Sequence, residues 1–123
     1  MSIKESAENY LESIFMLRKK HGTVRSVDVA HDLEFSKASV SVAMKNLRQE
    51  DYITVDDEGE IFLTQKGMDI AQSMYERHNL IARALIALGV SEETAYNDSC
   101  KIEHDLSHET FEKLKDYIEE HLR

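Results

Sequence analysis

Residues 100–104 of the chain read CKIEH and contain its only cysteine. A thiol, a carboxylate and an imidazole therefore fall at positions i, i+3 and i+4, which on a helix lie along one face. A soft thiolate beside a hard carboxylate and an imidazole is a ligand set suited to a divalent transition metal. Cys100, Glu103 and His104 are thus candidate metal ligands, although a single cysteine is also compatible with a buried apolar role or a reactive thiol.

Polar residues in two other segments could complete such a site. Asn9 and Glu12 are three residues apart on the predicted first helix, and His78 lies in a long predicted helix beside an apolar run. Carboxylate, amide oxygen and imidazole all bind metal ions. The same residues are compatible with a solvated helix face and with a hydrogen-bonded histidine, so the residue types alone leave both interpretations open.

Helical periodicity dominates the elements that must position these residues. Apolar side chains recur at helical spacing over residues 2–20, and the helix is predicted to end near His21 and Gly22. Ser26 and Ser36 are predicted N-caps of two short helices, VDVAHDL and KASVSVAMKNLRQEDY, which together form a helix-turn-helix. The segments YITV and EIFL then flank an acidic turn that contains Gly59, which predicts a β-hairpin wing.

A long helix and two shorter helices complete the predicted fold. Thr64 is expected to cap a helix that stops at Gly89, and Ser91 and Ser107 to cap helices of about 92–106 and 108–122. We therefore predict a mainly α fold, with a winged helix-turn-helix DNA-binding domain over residues 1–73 and an all-helical domain over residues 74–123.

The distribution of charge favours a nucleic-acid partner, whereas the total does not. The 123 residues include 15 basic and 24 acidic side chains, a net charge of −9. Residues 36–48 nevertheless contain no acidic side chain, and their cations and hydroxyls suit phosphates while small apolar side chains suit thymine methyls. The predicted DNA-binding residues are Ser36, Lys37, Ala38, Ser39, Ser41, Val42, Lys45 and Arg48.

An apolar run at residues 80–90, LIARALIALGV, predicts a homodimer. The run is more hydrophobic than a small helical domain is expected to bury alone, and one helix-turn-helix covers half of a typical operator. The last helix is expected to pack against this region through an apolar stripe. The stripe consists of Phe111, Leu114, Ile118 and Leu122.

Membrane proteins and enzymes are not expected. Arg83 interrupts the apolar run, which is too short to span a bilayer, and the segment MSIKESAEN lacks the apolar core of a signal peptide, so we expect a cytoplasmic protein. Catalysis by Cys100 with His104 is disfavoured because residues i and i+4 point side by side, and no orienting group or glycine-rich oxyanion loop is evident.

Five segments in order resemble a known family. They are ENYLESIFML at 8–17, SKASVSVAMKNL at 36–47, LTQKG at 63–67, YERHNL at 75–80 and YNDSCKIEHDLS at 96–107. On these segments the chain is identified as a member of the diphtheria toxin repressor and manganese transport regulator family, in its two-domain form. The resemblance implies a metal-activated repressor that binds palindromic operator DNA as a homodimer and controls metal-uptake genes. It also implies that residues 74–123 form the metal-binding and dimerisation domain.

The resemblance further implies a set of metal ligands. They are Asn9, Glu12, His78, Cys100, Glu103 and His104. Manganese-type members have carboxylates at the positions of Asn9 and Cys100, whereas iron-type members share the cysteine and have methionine in place of Asn9. Because sulfur is a soft ligand, Cys100 favours later metals over manganese. We expect Fe²⁺, with Mn²⁺ as the alternative, and Zn²⁺, Co²⁺ or Ni²⁺ able to bind in vitro; the ligands suffice for one ion or for two adjacent ions.

These ligand positions suggest a switch. The first helix packs with the DNA-binding part and the CKIEH helix belongs to the other part, so a shared ion is expected to fix the angle between them and to select the DNA-competent form. The alternative is a DNA-binding regulator that senses oxidation through Cys100, in which Glu12, His78, Glu103 and His104 would lack a role.

Overall fold

The computed structural model describes residues 3–122, with side chains from residue 6 onward. In chain order the elements are α1 Ile3–His21, α2 Ser26–Leu33, α3 Lys37–Gln49, β1 Ile53–Val55, β2 Ile61–Leu63, α4 Gln65–Ala87, α5 Glu92–Ile102 and α6 His108–His121. The predicted mainly α fold is confirmed. The chain divides into two compact units, one ending at Gln72 and the other beginning at Ser73, so that the division falls within α4.

The first unit packs α1, α2, α3 and the hairpin around one hydrophobic core. Leu11 and Ile14 of α1 are fully buried in this core, as are Val24, Val40 and Ile61. Each such side chain contributes about 1.5–3 kcal/mol relative to leaving it exposed. Three residues, 34–36, join α2 to α3, which confirms the predicted helix-turn-helix.

The predicted wing is an antiparallel hairpin. Ile53 pairs with Leu63 and Val55 pairs with Ile61. Gly59 has a φ of 82° in the connecting turn, a conformation that glycine adopts without steric cost. The acidic turn is therefore a regular β-hairpin connection.

Two arginines attach the wing to the helices. Arg18 of α1 donates a hydrogen bond through Nη1 to the carbonyl oxygen of Ile61 at 2.9 Å, and its Nη2 lies 3.1 Å from the carboxylate of Glu60. Arg25, just before α2, donates through Nε to the carbonyl oxygen of Glu58 at 3.1 Å. The wing is thereby fixed relative to α1 and α2.

Side-chain caps fix the starts of four helices. Three predicted serine caps each accept a hydrogen bond from the backbone N–H three residues later. They are Ser36, Ser91 and Ser107. Thr64 Oγ1 accepts from the N–H of Gly67 at 3.2 Å in the same way. Gly67 has no room for a side chain, because a Cβ there would overlap the carbonyl oxygen of Tyr52.

Two helix boundaries in the first unit differ from the sequence-based prediction. The N-cap of α2 is Arg25 and not Ser26, because Arg25 is extended and the Asp28 carboxylate accepts its backbone N–H at 2.9 Å. Helix α3 ends at Gln49, three residues earlier than predicted. The chain leaves the helix at Asp51, whose φ of 64° is incompatible with its continuation.

The second unit has a small core between α4 and α6. Leu80 packs with Phe111 and Ile118, and Leu122 lies at the edge of this cluster. The predicted stripe on α6 is wrong at Leu114, which is 38% exposed. At about 100° per residue, Leu114 lies roughly 60° around the helix from Phe111, whereas Ile118 and Leu122 lie within about 20° of it.

Apolar side chains at the end of α4 and just after it are exposed to solvent. Ile86 and Leu88 are 40% and 81% exposed, and Gly89, with a φ of 104°, follows the helix as predicted. Within residues 3–122, no helix is both long and apolar enough to cross a membrane.

Candidate metal centre and nucleic-acid surface

Helix α5 carries Cys100 but ends before the other two residues of the CKIEH segment. The helix stops at Ile102, Glu103 is its C-cap, and residues 103–105 form a turn in which the N–H of Asp105 donates to the carbonyl of Ile102 at 3.0 Å. The prediction that one helix carries all three side chains is therefore wrong for His104, which lies beyond the helix.

Helix α4 places His78 against this segment. Its Nδ1 atom lies 3.3 Å from each of three atoms, namely Oγ of Ser99, Sγ of Cys100 and Oε2 of Glu103. The second carboxylate oxygen of Glu103 lies 3.4 Å from Nε2 of His104. The side chains of His78, Glu103 and His104 are at most 10% exposed. The second unit therefore brings four of the six predicted metal ligands together.

Two separations at His78, from Nδ1 to Sγ of Cys100 and to Oε2 of Glu103, fit pairs of donors bound to a metal ion. Bonds of about 2.1 Å to nitrogen or oxygen and about 2.3 Å to sulfur, at angles of about 90–109°, separate neighbouring donors by roughly 3.0–3.6 Å. The separations of 3.3 Å fall within this range. Of the three groups around Nδ1 of His78, the thiol and the carboxylate are both able to bind a metal ion. The residues present fit a transition metal.

Cys100 is exposed, which excludes the alternative of a buried apolar residue. Its sulfur makes a part-buried contact with Nδ1 of His78 at 3.3 Å. The reactive-thiol and metal-ligand interpretations both remain compatible with this position.

The other two predicted ligands belong to the first unit. Asn9 and Glu12 lie one turn apart on α1, and Asn9 is half-buried whereas Glu12 is buried. A buried glutamate is uncommon in proteins unless its charge is compensated. The position of Glu12 is thus compatible with a functional carboxylate.

Two residues beside the candidate metal ligands were not anticipated from sequence. Ser99 is fully buried with its hydroxyl beside His78. Arg77 directly precedes His78, and its Nη1 donates to the carbonyl oxygens of Glu103 and Leu106 at 3.1 and 2.9 Å. The only sequence signal for either was its position next to a predicted ligand.

All eight predicted DNA-binding residues are exposed. They are Ser36, Lys37, Ala38, Ser39, Ser41, Val42, Lys45 and Arg48. The opposite face of α3 is buried through Val40, Met44 and Leu47. Helix α3 therefore presents hydroxyls, cations and small apolar side chains to solvent on one surface.

This surface continues onto neighbouring elements of the first unit. Lys45 and Arg48 line a shallow depression together with Ser41 of α3, Ser26 of α2 and Val55 of β1. Two cations and two hydroxyls at one depression are suited to the phosphate backbone of a nucleic acid.

Comparisons with known proteins match both parts of the chain. The family model described as the N-terminal DNA binding domain of the iron dependent repressor matches residues 2–60, and the model described as its metal binding and dimerisation domain matches residues 64–122. The transcriptional regulator MntR of Bacillus subtilis (strain 168) is 33% identical over 114 residues, which are 93% of this chain and 80% of that protein.

Solved structures show the same fold. The structure of the manganese regulator SloR has a TM-score of 0.81 and 27% identity, and covers 92% of this chain and 53% of that one. The structure of ScaR with bound Zn²⁺ has a TM-score of 0.76 and 25% identity, with the same two coverages. The chain thus spans about half the length of these two solved chains.

The fold and these matches define the class of metal-dependent transcriptional regulators, whose members are not enzymes. The chain belongs to the iron-dependent repressor family, also known as the diphtheria toxin repressor and manganese transport regulator family.

Proposed function

We propose that the chain is a metal-activated repressor that binds a palindromic operator as a homodimer in the cytoplasm and controls metal-uptake genes. The observation that carries this proposal is the convergence of Cys100 and Glu103 on Nδ1 of His78, in the unit that follows a winged helix-turn-helix. Membership of the family supports it.

The ligands of the ion come from both parts of the sequence. They are His78, Cys100, Glu103 and His104, together with Asn9 and Glu12, which the resemblance adds. When bound, the ion supplies positive charge and Lewis acidity among anionic donors. Without a cation, a thiolate and carboxylates that share a site repel each other and favour separation of the segments that carry them.

Cys100 governs the preference among metals. A thiolate is a softer ligand than carboxylate or amide oxygen, so it favours Fe²⁺, Co²⁺, Ni²⁺ or Zn²⁺ over Mn²⁺. We take Fe²⁺ as the effector and Mn²⁺ as the alternative, since SloR is described as a manganese regulator. Binding of Zn²⁺ in vitro agrees with the related ScaR structure, which holds that ion.

The DNA contacts come from the exposed face of α3. Its hydroxyls and cations bind phosphates, and Ala38 and Val42 contact thymine methyls in the major groove. A second copy of the chain provides the other half-site contact. The uncovered side chains of Ile86 and Leu88 support this homodimer, as does the match to a family domain described by dimerisation.

The switch requires that the metal ion bind the DNA-competent form of the chain more tightly than the other form. To move the chain from 1% to 99% in its DNA-competent form, the ion must bind that form about 10⁴-fold more tightly, which is about 5.5 kcal/mol. Several ligands on separate elements provide such a difference, because only one arrangement of those elements lets all of them reach one ion.

Fluorescence anisotropy tests the proposal. The purified chain is titrated into a labelled palindromic duplex, selected from a random library with metal present, in chelator and then with Fe²⁺ (anaerobically), Mn²⁺ or Zn²⁺. Binding is expected only with metal. The His78→Ala variant should lose this response, whereas the control His121→Ala, at an exposed histidine of α6, should keep it.

Two outcomes would contradict this function. Binding of the wild-type chain that is indifferent to every metal would remove the metal switch. Binding in chelator that peroxide abolishes would favour the alternative, a redox-sensing regulator that uses Cys100.

A further inference from the structure

Two consecutive residues of α4, Arg77 and His78, both contact Glu103, the residue that follows α5. His78 faces the carboxylate of Glu103, with Nδ1 3.3 Å from Oε2, while Arg77 donates through Nη1 to the carbonyl oxygen of Glu103 at 3.1 Å. The same Nη1 donates to the carbonyl oxygen of Leu106 at 2.9 Å. Arg77 therefore binds the backbone on both sides of His104.

The connection that Arg77 holds has little regular structure of its own. Helix α5 ends at Ile102 and α6 begins at His108, so residues 103–107 lack a continuous helical hydrogen-bond ladder. Two of the proposed metal ligands, Glu103 and His104, lie on this connection, whereas Cys100 lies on a helix. The positions of these two donors therefore depend on contacts from outside the connection.

The guanidinium of Arg77 is itself confined. Its Cζ lies 4.9 Å from the ring centroid of Phe111, which is 3% exposed. Its Nε is buried and has no hydrogen-bond partner among residues 6–122, whose side chains are described. Leaving a buried donor unpaired is costly, and hydrogen bonds from a charged donor are stronger than neutral ones where water is excluded. The Nη1 contacts are therefore the directional interactions that define the position of this side chain.

We propose that Arg77 is a positioning residue of the metal centre. Its two hydrogen bonds hold the connection so that the carboxylate of Glu103 faces Nδ1 of His78 and Nε2 of His104 at ligand spacing. Arginine offers only donors and stays protonated, so Arg77 cannot bind the ion itself and acts through the backbone. The inference rests on the proposed function, in which these residues bind a metal ion.

Co²⁺ titration of the full chain tests this role. Affinity is measured by competition with a chromophoric chelator, and the d–d absorption spectrum reports the coordination geometry. Arg77→Met keeps an unbranched side chain against Phe111 but removes both donors, so Co²⁺ affinity should fall about 10–100-fold, the usual effect of losing a partner that orients ligands. The d–d spectrum should change as well, which a merely structural role would not produce.

Arg83→Met is the matched control. Arg83 is also an arginine of α4 that donates to a backbone carbonyl, that of Leu122 at 2.9 Å, but its partner lies at the end of α6. This variant loses the same charge and should keep the Co²⁺ affinity and spectrum of the wild type. Circular dichroism melts in chelator check that both variants are folded.

Arg77→Lys provides a second, milder variant. An ammonium keeps the charge and some donor capacity but lacks the planar guanidinium, so the expected loss is about threefold, smaller than for Arg77→Met. If Arg77→Met does not fold, the Co²⁺ affinity and spectrum of Arg77→Lys alone test the inference. Wild-type affinity and spectrum in the folded Arg77 variants would overturn the inference while leaving the proposed function intact, whereas a wild-type chain that binds no Co²⁺ would overturn both.

Discussion

Lys45 provides a quantitative test of the α3 surface. Its side chain is exposed and lines the depression that also contains Arg48. The Lys45→Gln substitution removes one cation per chain and hence two per proposed dimer. Each phosphate contact contributes about 0.9 to the slope of log affinity against log salt concentration, so the slope should become shallower by about 1.8. Between about 50 and 200 mM salt, the variant should therefore lose roughly tenfold less affinity than the wild type does.

Anisotropy titrations with saturating metal at a series of KCl concentrations measure this slope. Lys115→Gln is the control, because it removes the same formal charge from α6, where Lys115 pairs with Glu76 at 3.1 Å. Its slope should equal that of the wild type. An unchanged slope for Lys45→Gln, or the same change in both variants, would refute the assignment of phosphate contacts to this surface.

Three further predictions concern the metal and the dimer. Cys100→Glu should shift selectivity from Zn²⁺ towards Mn²⁺ by about tenfold, or about 1.4 kcal/mol, because oxygen replaces soft sulfur. Competitive titration measures the ratio of the two metal affinities, and an unchanged ranking of the metals would contradict the reasoning. Glu12→Gln should weaken metal-activated DNA binding, measured by anisotropy, without dissociating the dimer, and a monomer in sedimentation would count against this. Leu88→Glu, at a side chain 81% exposed, should give monomers in sedimentation that keep the helical circular dichroism of the wild type, and an unaffected dimer would place the interface elsewhere.

The architecture of the first unit was largely predictable because its signals are local. The caps Ser36 and Thr64 and the glycine turn at Gly59 each act within a few residues of where they lie. The start of α2 was not predicted, since the cap depends on Asp28 binding the backbone of Arg25 and not on a capping side chain at Ser26. A search for an acidic residue three positions after each candidate cap would have indicated this start, because Asp28 lies three residues after Arg25.

The candidate metal centre was predictable in its chemistry but not in its construction. Residue types alone indicate that Cys100 and Glu103 suit a metal ion, and the resemblance extends the set. The approach of His78 to both joins residues more than 20 positions apart, and it depends on how α4 packs against the end of α5. The early end of α5 and the hold of Arg77 on the following backbone have no periodic signal in the sequence.

The acidic hairpin turn bears on how the chain encounters DNA. The turn contains Asp56, Asp57 and Glu58, whereas α3 contains no acidic residue. Phosphates repel a wing tip of this charge and attract α3, so an approach with the tip leading is disfavoured while an approach with α3 leading is favoured. Because this bias acts over about a Debye length, it discriminates between directions of approach before contact and weakens as salt rises. Encounters in the wrong orientation are therefore short-lived, and the chain spends most of its time on DNA in the orientation in which α3 faces the bases.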